Sequence, residues 1–103
     1  MIENIDGFDW DAGNAGKCEK HGVAIADIED VFSRPLHILA DLRHSDVEDR
    51  FIAVGKTTDG REVFIGFTFR AGKTGVLIRP ITARFMHKRE VEKYEKAIAK
   101  TEE

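Results

Sequence analysis

Apolar residues recur along this chain in two rhythms, and each predicts a different element. Ile25, Ile28, Val31 and Phe32 fall on one helical stripe, so a helix is expected over Ile25 to Phe32, with Pro35 closing it. Val63, Ile65, Phe67 and Phe69 alternate with Phe64, Thr68 and Arg70, the period-two pattern of a strand from Arg61 to Arg70. Asp59-Gly60 ahead of it is a strong hairpin signal, which joins it to an apolar run from Arg50 to Lys56. Ala71-Gly72-Lys73 turns the chain into a third run, ending at Arg84, and Leu36 to Ala40 reads as one earlier strand. Phe8-Asp9-Trp10 suits a brief first strand with both rings toward the core. Asp11 is placed to cap a helix from about Ala12 to His21, with Gly22 as its left-handed stop. A last helix starts near Met86 or His87 and ends about Lys100, with His87, Val91, Tyr94 and Ile98 on one side. The order is that of an α+β domain: a small antiparallel sheet of four to five strands, two N-terminal helices and a C-terminal helix.

The run into Arg84 is unusual for a structural strand, because Lys73-Thr74-Gly75-Val76-Leu77-Ile78-Arg79-Pro80-Ile81-Thr82-Ala83-Arg84 carries two arginines and a proline. Proline donates nothing to a ladder, so Pro80 marks an edge position or a bulge. Strict alternation sends Arg79 and Arg84 to opposite faces. One extra residue near Pro80 reverses that parity and brings both guanidinium groups to the same side. Two arginines on one face suit a phosphate-rich ligand, since the planar fork holds two oxygens at once.

Composition narrows the options. At 103 residues the chain reads as a single domain, spanning residues 1–103, with a modest core. No apolar run approaches the roughly 20 residues of a membrane helix, and Met1-Ile2-Glu3-Asn4 does not resemble a signal peptide, so a soluble cytoplasmic protein is expected. The lone cysteine, Cys18, has no internal disulfide partner and reads as a surface or helix thiol. The net charge of −3 hides an asymmetry: residues 1–60 hold 6 Lys/Arg against 13 Asp/Glu, and residues 61–103 hold 10 against 6. A local basic surface can collect phosphates, because nearby charges dominate under physiological screening. It could equally be a solvated face or a dock for an acidic partner.

Several short pieces, in this order and spacing, resemble the BrnT-type toxins. They begin with Phe8-Asp9-Trp10-Asp11, Asn14, Lys17 and Lys20-His21-Gly22-Val23, and continue with Val31-Phe32 and Pro35. Asp41-Leu42-Arg43-His44, Glu48, Arg50-Phe51 and Phe67-Thr68 with Arg70 follow, then Ile81-Thr82-Ala83-Arg84, Glu90 and Tyr94. Thr82 stands where the family usually has serine, Pro80 where it has an aliphatic residue, and Ala24 where a polar cap is common. The resemblance implies a RelE-like fold and a ribonuclease that arrests translation, the toxin half of a bacterial type II toxin–antitoxin pair. It further implies a BrnA-like antitoxin with a ribbon-helix-helix domain, so that the toxin meets DNA only through its partner and meets no membrane.

Metal-free RNA cleavage must deprotonate the 2′-hydroxyl, stabilise the crowded phosphorane and protonate the 5′-oxygen. Arg79 and Arg84 are the first candidates for the phosphorane, supported by Arg50 and Arg70, with Lys20 and Arg43 as further RNA-binding cations. His21, His44 and Glu48 are the candidates for proton transfer. The plainer reading pairs the arginines with Glu48, Glu62 or Glu90, lets His21 relieve a helix dipole, and leaves His37 structural and Tyr94 in the core. No metal-ligand spacing is visible, and no cofactor is expected. The competing functions are a catalytically inactive module of the same fold, acting as antitoxin partner and co-repressor, and a plain RNA-binding domain.

Overall fold

The computed structural model describes residues 5–44 and 46–102, the side chains of His44, Thr101 and Glu102 excepted. Its elements are β1 (Ile5–Phe8), α1 (Ala12–Glu19), α2 (Ile25–Phe32), β2 (His37–Ala40), β3 (Phe51–Lys56), β4 (Glu62–Ala71), β5 (Val76–Phe85) and α3 (Lys88–Glu102). A short 3-10 turn, Leu42–His44, follows β2. The strands form one sheet in the order β1-β5-β4-β3-β2.

The sheet is mixed, which corrects the expectation of an antiparallel one. β2, β3, β4 and β5 form the antiparallel meander, but β1 runs parallel to β5, pairing Ile5 with Val76 and Phe8 with Ile78. The first strand also sits earlier than Phe8-Asp9-Trp10. Trp10 lies beyond its end, packs against the core and donates its indole N–H to Glu29 Oε2 at 2.8 Å. The strand between Leu36 and Ala40 begins one residue later than expected, and that between Arg61 and Arg70 is shifted by one.

One face of the sheet carries the core. Val63, Ile65 and Phe67 of β4 pack against Ile28, Val31 and Phe32 of α2, with the Phe32 and Phe67 rings edge to face at 5.1 Å. Close approach of α2 requires Gly55 in β3, since a Cβ there would lie 2.9 Å from Val31 Cγ1 and 3.3 Å from Leu36 Cβ. Cys18 of α1 faces this core and is fully buried, so it is a helix thiol and not a surface one. Burial pushes its pKa up to about 11, with Glu19 adding to the rise, and leaves it protonated at neutral pH.

The opposite face carries α3. Tyr94 meets the Phe64 ring at 5.9 Å, and Arg84 reaches Glu90 in the first turn of the helix. Asp11 caps α1 through a full capping box with Asn14. That helix stops two residues short of His21, and Gly22 turns the chain at φ 86°, a conformation that favours glycine. α2 starts at Ala24 without a side-chain cap.

Candidate active site

The bulge in β5 is where the site begins. Gly66 pairs with Thr82 and Phe67 with Pro80, so Ile81 is the extra residue. Pro80 therefore neighbours a bulge and is not on an edge strand, for β5 is flanked by β1 and β4. It stands just past the last β1 contact, where the Asp9 N–H donates to the Ile78 carbonyl at 2.8 Å. From there α1 takes the place of β1 alongside β5. Asn14, buried, donates from Nδ2 to the Pro80 carbonyl at 2.8 Å and to the Asp9 carbonyl at 2.9 Å. Its Oδ1 accepts from the Asp11 N–H at 2.7 Å. Asn14 thus fastens the capped end of α1 to the bulge.

The shifted register sets the arginines. Arg79 lies opposite Thr68 and Arg84 opposite Phe64, and these partners are four residues apart on β4, so both arginines occupy the α3 face. Four residues of strand separate them by about 14 Å. They are held apart chemically as well. Arg79 binds Asp9 at 3.3 Å and Asp11 at 2.8 Å, while Arg84 makes a two-pronged pair with Glu90 at 2.5 Å per bond and stacks 4.4 Å over the Phe64 ring.

Around Arg79 the loop after the 3-10 turn closes in. Glu48 binds Arg70 through both carboxylate oxygens and lies 3.9 Å from Arg50. The buried Thr68 hydroxyl donates to the Asp49 carbonyl at 2.6 Å, which fixes this loop against the sheet. Arg50, Arg70, Arg79 and Glu48, with Lys17 and Asn14 of α1, line one cavity of about 260 Å³. The hydrogen bond from Arg70 is the main reason the Glu48 carboxyl sits below the usual carboxylate range, with the charges of Arg70, Arg50 and Arg79 adding to it. Asp11 is lowered too, first by the Asn14 backbone N–H and then by Arg79. Anions already sit on every arginine here, so a phosphate must compete with Glu48, Asp9 and Asp11 for them.

Of the residues expected from the sequence, Arg50, Arg70, Arg79 and Glu48 come together. Arg84 shares the face but not the cavity. His21 and Lys20 lie exposed in the turn after α1, away from the end that carries Asn14, and do not line it. Arg43 is exposed in the 3-10 turn, and the side chain of His44 lies outside the described residues. Lys17 and Asn14 are site residues that the sequence does not single out. Their one signal is their place in the resemblance, since only the topology brings α1 beside β5. A larger space of about 530 Å³ between α3 and β2–β3, lined by His37, Tyr94 and Ile98 among others, contains none of the arginines expected to bind phosphate. Among the described residues, no three His, Cys, Asp or Glu side chains converge to hold a metal ion. Likewise no described helix is long and apolar enough to cross a membrane.

This is an α+β sheet protein in which three arginines, a lysine and Glu48 line one cavity beside a strand bulge. The chain belongs to the BrnT family, the ribonuclease toxins of type II toxin–antitoxin systems, whose family model matches residues 10–90. That membership gives the protein an antitoxin as its partner. A comparison with curated proteins found no match.

Proposed function

We propose that this protein is a bacterial cytoplasmic endoribonuclease with a RelE-like fold, cleaving RNA without a metal ion in the cavity lined by Arg50, Arg70 and Arg79. The observation that carries the reading is the convergence of these three arginines, Lys17 and Glu48 on one cavity. The scissile phosphate takes over the hydrogen bonds that Glu48 makes with Arg70, and Arg79 and Arg50 hold its remaining oxygens as charge builds on the phosphorane. Glu48, released from Arg70 and a carboxylate that is ionised at neutral pH even at its ordinary value of 4.5, is then the adjacent acceptor for the 2′-hydroxyl proton. The 2′-oxygen attacks phosphorus, the bond to the 5′-oxygen breaks, and the products are a 2′,3′-cyclic phosphate and a 5′-hydroxyl. Lys17, exposed at the cavity, donates a proton to the departing 5′-oxygen as the bond to phosphorus breaks, giving the 5′-hydroxyl. Arg84 supports the site through Glu90 and α3 rather than by touching the phosphate. The antitoxin that silences the enzyme is BrnA-like, with a ribbon-helix-helix domain that supplies all DNA contacts.

One observation favours a second reading. Arg70, Arg79 and Arg84 each hold a carboxylate of the same chain, as an inactive partner module and co-repressor would allow. Induced expression in a bacterial host separates the two. The enzyme reading expects growth arrest with loss of intact RNA, abolished when Arg70→Ala is combined with Arg79→Ala. Undisturbed growth and intact RNA under wild-type expression would sink it.

A further inference from the structure

The loop that brings Glu48 to the cavity is fastened to the sheet at neighbouring points. It joins β2 to β3, and its ends meet where the Asp41 N–H donates to the Arg50 carbonyl at 2.8 Å. Glu48 binds Arg70 through both carboxylate oxygens. One residue further on, the Asp49 carbonyl accepts from the Thr68 hydroxyl at 2.6 Å. Thr68 stands on β4 opposite Arg79 and two residues before Arg70, so it shares their face of the sheet. Unlike them, it does not line the cavity. With only 2% of its surface exposed, Thr68 occupies a strand position where valine has the same branched shape and no polar atom to desolvate. Its hydroxyl instead serves the turn that carries Glu48 and Arg50, the two cavity residues on either side of Asp49.

We propose that Thr68 is a positioning residue for RNA cleavage: through the Asp49 carbonyl it keeps Glu48 beside the phosphate after Arg70 has let it go. The inference rests on the ribonuclease reading and adds to it the residue that holds the proton acceptor in place. In the free protein Glu48 is located by Arg70 as well as by its own backbone. When the scissile phosphate takes the Arg70 hydrogen bonds, the hold on the side chain is gone, and a free glutamate has several rotatable bonds to explore. The Thr68 bond lies outside the cavity, so it survives the exchange. It fixes the backbone from which Glu48 projects at the moment the carboxylate is needed. The arginines bind the phosphate without it. Its contribution therefore falls on the step that uses Glu48 and not on uptake of RNA. Small displacements matter there, since a reacting group about 1 Å out of place can cost a hundredfold in rate.

The test compares Thr68→Val, which keeps the shape and removes the donor, with Thr68→Ser, which keeps the hydroxyl. RNA cleavage kinetics and hydrogen exchange in saturating inorganic phosphate are measured on the full chain. Thr68→Val is expected to lower kcat about tenfold or more while KM stays within about twofold of wild type. Thr68→Ser is expected to stay close to wild type. In a Glu48→Gln background Thr68→Val should lower the rate no further, because its effect passes through Glu48. With phosphate bound, the Asp49 and Arg50 amides should exchange faster in Thr68→Val than in Thr68→Ser. An unchanged kcat in Thr68→Val, a loss carried by KM alone, or the same loss in the Glu48→Gln background overturns the proposal while the ribonuclease site stands. Equal exchange at Asp49 and Arg50 in the two variants overturns it without reference to cleavage. If the wild-type protein leaves RNA intact, the ribonuclease reading falls and this inference with it.

Discussion

Arg84 and Glu90 form a two-pronged ion pair on the α3 face, and the titration of Glu90 sets one limit on stability. The Arg84 hydrogen bonds hold the Glu90 carboxyl below its ordinary value of 4.5. A carboxyl whose folded pKa is depressed stabilises the fold while it is ionised. That contribution is complete above about 4.5 and is lost as pH falls through the folded value. Glu48 and Asp11 are shifted in the same direction. The urea midpoint should therefore be flat from pH 7 to 5 and fall below it, and Glu90→Gln should flatten that acid limb. An unchanged acid limb in the variant would remove Glu90 from the explanation. Cys18 gives a second check at this scale. Fully buried, and with its pKa raised to about 11, it should resist a thiol reagent in the native protein and react once the chain is unfolded. Rapid modification of the folded protein would contradict its place in the core.

At the scale of elements, the join between α1 and the β5 bulge organises the site. Asn14 holds four hydrogen bonds at this join while buried, three of them through its side chain, so Asn14→Ala keeps the Asp11 cap on its backbone N–H but loses the other half of the capping box and strands the Pro80 and Asp9 carbonyls. Two buried carbonyls left without their donor point to a destabilisation of about 2–3 kcal/mol, measured by urea unfolding. A loss below about 0.5 kcal/mol would mean that α1 is held by its apolar contacts alone. This join also explains which parts of the structure are legible in the sequence. The helix over Ile25–Phe32 is legible to the residue, because its stripe packs on a sheet face and needs no distant partner to define it. The bulge beside Pro80 is legible from proline chemistry, and so is the shared face of Arg79 and Arg84 that follows from it. β1 is not. Its parallel pairing with β5 joins residues about 70 positions apart and leaves no alternation in four residues, Ile5-Asp6-Gly7-Phe8. For the same reason the sequence does not reveal Lys17, Asn14, Asp9 and Asp11 as neighbours of Arg79, and it suggests Lys20 and His21, at the other end of α1, for a site they do not line.

Over the whole molecule, the uneven charge along the chain becomes a pattern of local neutralisation. Acidic residues from the first half, Asp9, Asp11 and Glu48, sit on arginines from the second half, Arg79 and Arg70. The net charge of −3 therefore repels RNA only weakly at long range, and in the proposed function binding depends on displacing these carboxylates at one place. Binding of a single-stranded RNA should weaken as salt rises, and Arg79→Ala should reduce the slope of log affinity against log salt by about one. An unaltered slope would take Arg79 out of phosphate contact.

In the proposed function Arg70 and Arg79 lie in a metal-independent ribonuclease site. The most direct measurement incubates the purified protein with an end-labelled single-stranded RNA in the presence of EDTA and identifies the new ends. Cleavage leaving 2′,3′-cyclic phosphate and 5′-hydroxyl ends is the predicted result. The rate should also fall at least about a hundredfold when Arg70→Ala and Arg79→Ala are combined in a protein that still folds, as removal of transition-state donors generally costs. RNA left intact by the wild-type protein, or cut equally fast by the double variant, would contradict the claim.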